Sequence, residues 1–147
     1  MSPILYLVPG TNIFALRVEN SGHTEARNLT LTLDRDFFRF GKREPGQNAK
    51  DLNAFSQPIQ SFGPGARIDI WLAQGPHLFG ADADPDRTPQ VFSIRATYEF
   101  SGKSVTEDTT IDFRPYLMTD LPKEPLVQEL KDIKRAIDDL KDRLPRP

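Results

Sequence analysis

The 147-residue sequence predicts a mainly β fold: an antiparallel β-sandwich of seven to eight short strands followed by one C-terminal α-helix. Three observations predict it. Apolar and polar residues alternate in several short runs, the period of a strand with one buried face. Clusters of glycine and proline, residues that tolerate or impose chain reversal, separate those runs. No helical period occurs before residue 120, after which a seven-residue spacing of aliphatics continues almost to the end.

Taken in order, "ILYLV" supplies a first short strand and ends at Pro9 and Gly10. In the next run Phe14, Leu16 and Val18 alternate with Ala15, Arg17 and Glu19; after a polar juncture, Leu29, Leu31 and Leu33 alternate with Thr30, Thr32 and Asp34. The juncture holds Asn20, Ser21 and Gly22, residues that accept left-handed or locally hydrogen-bonded backbone, so it reads as a chain reversal and not a catalytic loop. "DFFRF" and a weaker segment from Phe55 to Phe62 read as further strands. After Gly63, Pro64 and Gly65, Ile68, Ile70 and Leu72 share one face of a strand, and Arg67, Asp69 and Trp71 share the other. In "VFSIRATYEF" the residues Phe92, Ile94, Ala96, Tyr98 and Phe100 share one side. "SGK" then turns the chain into a strand whose Val105, Ile111 and Phe113 have matching parity, the clearest hairpin in the sequence.

The tail carries Leu126, Leu130, Ile133, Ile137, Leu140 and Leu144 at alternating spacings of four and three, which keeps a narrow stripe on one side of a helix. Pro125 suits the first helical turn and Pro145 stops the helix. Pairs four apart, such as Lys134 with Asp138 and Arg135 with Asp139, support the exposed face. The stripe has two readings: it packs on the chain's own sandwich, or on copies of itself or a partner helix. Its flanks are Val127, Glu129, Lys134, Ala136, Lys141 and Arg143, mostly charged, whereas a surface helix docked on its own domain shows a wider apolar face; this favours self-association. Residues 1–116 thus form the sandwich, 117–124 a linker and 125–144 an amphipathic heptad helix.

The run "FALRVENSGHTEARNLTLTL" resembles the strand, Asn-x-Gly turn, small residue and strand signature of bacterial immunoglobulin-like domains of the CARDB-like kind, and "FGPGARIDIWL" resembles their Pro-Gly turn before a mid-domain strand. The resemblance spans about residues 12 to 113. It implies an immunoglobulin-like sandwich in which Asn20 closes a turn and Ala26 lets the chain re-enter the sheet. Such domains act as adhesive, carbohydrate-associated or partner-binding modules, so it implies no catalysis. The chain departs from them in two long connections, "GKREPGQNAKDLNAFSQP" and "AQGPHLFGADADPDRTPQ", and lacks the Cys...Trp...Cys pattern of antibody domains.

Composition excludes several classes. A formal net charge of −2 draws the chain neither to nucleic acid nor to an anionic membrane. The absence of cysteine removes disulfides, thiolate nucleophiles and Cys-based zinc sites. "ILYLV" lacks a basic flank and is too short for a signal peptide or a membrane span, so the chain as given reads as soluble, cytoplasmic or envelope-associated. Asp82, Asp84 and Asp86 alternate as at the start of a calcium loop, but the sixth position is Arg87 instead of Gly and the twelfth is Ser93 instead of Glu, so they read as a solvated acidic loop. His23 and His77 lie in loops outside any nucleophile or ligand motif and read as turn histidines. No cofactor is expected.

Trp71 falls on the polar parity of its strand; it either faces outward as a binding residue or, the favoured expectation, is covered by a loop or the tail helix. Two functions follow. One is a non-catalytic interaction module that self-associates or docks another protein through Leu126 to Leu144, as part of a larger structural or envelope-associated assembly. The other is a small-ligand or carbohydrate-binding sandwich using Trp71, His77, Phe79 and the 74–89 loop.

Overall fold

The computed structural model describes residues 1–117 and 125–144, with side chains described from Leu130 onward in the second segment. Its strands are β1 (Ser2–Leu7), β2 (Ile13–Glu19), β3 (Ala26–Leu33), β4 (Ile59–Phe62), β5 (Arg67–Gln74), β6 (Val91–Phe100) and β7 (Lys103–Asp112). Every pairing is antiparallel, in a three-stranded sheet of order β1-β2-β5 and a four-stranded sheet of order β4-β3-β6-β7. Period-two runs become strands because each has one face to bury: Phe14, Leu16, Val18, Ile70 and Leu72 from one sheet meet Leu29, Leu31, Phe92, Ile94 and Ile111 from the other in a single core. The β6–β7 hairpin forms as expected, turning at Ser101 and Gly102, both with positive φ (48° and 76°), in a two-residue loop whose twist matches the strands.

The juncture 20–26 differs from a simple reversal, because β2 and β3 belong to different sheets. Asn20 is buried (5% exposed); its Nδ2 donates to the carbonyls of Thr24 and Phe62, both at 2.9 Å, and its Oδ1 accepts from the Gly22 amide at 3.0 Å. Its backbone joins the β4–β5 turn, donating to the Ala66 carbonyl and accepting from the Gly65 amide. One buried amide therefore ties the crossover to the turn that returns the chain to the first sheet, with each of its polar atoms hydrogen-bonded.

"DFFRF" is not a strand. Phe37 is fully buried against Phe92 and Phe113 (ring centroids 5.5 and 5.9 Å), while Phe38 forms only an isolated bridge to Asn48. The left-handed backbone of Phe40 (φ 56°) and a short 3-10 turn end the extended run. The segment from Phe55 is likewise split, with a single helical turn, α1 (Asn53–Ser56), preceding β4. A second short helix, α2 (Gly75–Phe79), follows β5; helices of four and five residues are too short to imprint a period, which is why the sequence does not predict them. The tail helix, α3 (Pro125–Arg143), forms over nearly the expected range.

Candidate functional site

Leu130, Ile133, Ile137 and Leu140 line one side of α3, Leu144 follows one residue past its end, and all five are between 48% and 60% exposed. Every described side chain of the helix is exposed, so within the single chain the sandwich does not cover the stripe. The side chain of Leu126 lies outside the described residues, as do residues 118–124 of the linker. The remaining faces carry Lys131, Asp132, Arg135, Asp138, Asp139 and Asp142, a fully polar exterior.

A second exposed feature lies on the open face of the three-stranded sheet. Register places Tyr6, Ala15 and Trp71 in one row across β1, β2 and β5, and Ile4, Arg17 and Asp69 in the next. Trp71 is 49% exposed, so neither loop nor helix covers it as expected; it faces outward. A bulge beside it, where Phe14 opposes Ala73 and Ala15 opposes Trp71, leaves Leu72 and Ala73 both buried and Trp71 on the outer side. Next to it the Arg17 guanidinium lies 5.0 Å from the centre of the Tyr6 ring and donates from Nε to Asp69 Oδ1 at 2.7 Å, while the Tyr6 hydroxyl donates to the same oxygen at 3.3 Å. The hydrogen bond from Arg17 holds the Asp69 carboxyl below its usual range, and burial, then the Asp69 charge, raises the Tyr6 phenol. The sequence puts Asp69 on the face of Trp71 and Arg17 on the polar parity of its own strand, but does not bring them together with Tyr6. Their signal, the shared outward parity of three strands, becomes legible only once it is known which strands are neighbours.

The two long connections meet at one end of the sandwich, where the Phe38 amide donates to the Arg87 carbonyl. Between them lies a recess of about 110 Å³ lined by Phe40, Gly41, His77, Asp82, Asp84, Arg87 and Thr88. Its groups are largely occupied with one another. His77 Nδ1 accepts from the Gln74 amide at 3.0 Å, capping α2, and the ring stands edge-on to Phe40. Asp84 accepts from the Asp86 amide and pairs with Arg87, and the Thr88 hydroxyl donates to the His77 carbonyl. Among the described residues no group of three or more His, Cys, Asp or Glu side chains is placed to hold a metal, so Asp82, Asp84 and Asp86 do not converge. Trp71, His77 and Phe79 have three separate settings: the open sheet face, this recess, and the interior edge where Phe79 meets Phe14.

Residues 4–117 match the family described as domain of unknown function DUF8453. The chain belongs to that family. The DUF8453 match takes in the sandwich from Ile4 onward and stops at Leu117, so α3 lies outside it. Comparisons with curated proteins and with solved structures return no match. Among the described residues no helix is long and apolar enough to cross a membrane.

Proposed function

We propose that the chain is a non-catalytic interaction module, an immunoglobulin-like sandwich that assembles through α3. The observation that carries this is the uncovered heptad stripe: five described aliphatic side chains, each about half exposed or more, forfeit about 1 kcal/mol apiece by remaining in water. A stripe this narrow, bordered by Lys134, Lys141 and Arg143, fits a helix of the same kind better than a broad sheet. The immunoglobulin-like reading draws support from the sheet order, in which the chain crosses between sheets at β2–β3, β4–β5 and β5–β6. Sedimentation equilibrium of the whole chain is expected to give a concentration-dependent oligomer that Ile133→Lys converts to monomer without lowering the melting of the sandwich. A monomer at high concentration overturns the self-assembly reading.

A second reading, small-ligand or carbohydrate binding, draws on half-exposed Trp71 beside the polar Arg17–Asp69 pair, with His77 and Phe79 no longer part of one site. Saturable quenching of the fluorescence of this one tryptophan by oligosaccharides supports it; silence across a glycan array removes it.

A further inference from the structure

We propose that α3 joins α3 of a second copy in parallel and in register, gathering the sandwiches at the N-terminal end of the coil. The proposal rests on the assembly reading above and adds its direction. In heptad terms Leu130, Ile137 and Leu144 occupy a positions, and Ile133 and Leu140 occupy d positions. Both orientations can build apolar layers from these residues. In parallel each layer pairs a residue with its own copy, whereas the antiparallel arrangement that keeps the most layers pairs Leu130 with Leu140 and Ile133 with Ile137.

The flanking positions separate the two. Lys134 and Lys141 fall at e, and Ala136 and Arg143 at g. In a parallel coil g faces e of the next heptad in the other helix, so Lys141 meets Ala136, and Lys134 meets position 129, a glutamate in the sequence. No like charges face each other. In the antiparallel arrangement e faces e and g faces g, which brings Lys134 against Lys134 across the two-fold axis and Ala136 against Ala136, and gives Arg143 the glutamate at position 129 that the parallel form gives to Lys134. The opposite-charge pairs balance, and the Lys134 repulsion, present only in the antiparallel form, selects the parallel one.

Direction decides what the assembly presents. After β7 the chain leaves the sandwich at the end where the long connections lie: the Phe113 amide donates to the Gln90 carbonyl, and the Tyr116 ring stacks edge-on to Phe14. From Leu117 to Pro125 the covalent chain spans at most about 28 Å. A parallel coil thus holds the loop ends of all copies within reach of one point, and an antiparallel coil holds them at opposite ends.

The chain has no cysteine, so one introduced thiol reports direction. Full-length Leu144→Cys is expected to form a covalent dimer under mild oxidation, because in the antiparallel alternative the two thiols stand about 27 Å apart. In an oxidised mixture of Leu130→Cys and Leu140→Cys chains, mass spectrometry is expected to find disulfides joining identical positions. Disulfides joining position 130 to 140, with none between two copies of position 144, overturn the parallel register and leave the assembly reading standing. An oligomer in sedimentation that yields no covalent dimer also overturns the register. A monomer in sedimentation that yields no covalent dimer overturns both.

Discussion

Asn20 shows how much one side chain can hold. Its amide meets two carbonyls from different parts of the chain in a buried setting, so Asn20→Ala takes a donor from both and is expected to lower stability by about 2 kcal/mol, measured by urea unfolding. The sequence marks this residue through the Asn-x-Gly pattern, yet the Phe62 carbonyl it bridges is 42 positions away and invisible to local reading. The carboxylates behave as a group. Asp69, Asp108, Asp112, Asp36 and Glu25 are all held below their ordinary values by hydrogen-bonding partners, Arg17, Arg95, Arg114, Asn48 and Ser61 respectively. The unfolded chain therefore takes up protons before the folded one as pH falls, and this stability, complete above the ordinary carboxylate range near about 4, disappears as pH drops through the folded values. The melting temperature is expected to fall on acidification below pH about 4, and Asp69→Asn to flatten that slope while lowering the plateau at neutral pH.

At the scale of elements, conformation and space set the tolerances. Gly65 turns the chain between β4 and β5 at φ +76°, with open space where a β-carbon would stand, so Gly65→Ala tests backbone strain alone and is expected to cost about 1 kcal/mol in thermal or urea unfolding. Strands were legible where alternation ran for five residues or more, as in β2, β3, β5 and β6, and β7 through the hairpin turn that precedes it. "DFFRF" misled because three phenylalanines suggest a strand, whereas only Phe37 enters the core and the other two serve the loops. The heptad of α3 was legible because spacings of three and four need no partner to be recognised.

For the molecule as a whole, the two sheets are joined by an aromatic cluster at the loop end. Phe113 sits at its centre, 5.4 Å from Phe14, 5.9 Å from Phe37 and 6.1 Å from Phe92, ring centre to ring centre. Because it touches the first sheet, the long 34–58 connection and β6 together, Phe113→Ala is expected to cost about 4 kcal/mol by chemical denaturation and to loosen the long connections, seen as faster amide exchange. α3 contributes no buried side chain to this core among its described residues, so Ile137→Lys is expected to leave the sandwich's unfolding midpoint in place while dissolving any oligomer.

Strand and helix periods, turn residues and the apolar stripe were all written into the order of residues, because each depends on neighbours a few positions apart. Tertiary structure alone settled which sheet each strand joins, that Trp71 shares an open face with Tyr6, Arg17 and Asp69, and that His77 and Phe79 stand apart from it. Those relations depend on pairings between residues tens of positions apart. Parity assigns a side chain to a face of its strand, but only the packed sheets decide what lies across from that face.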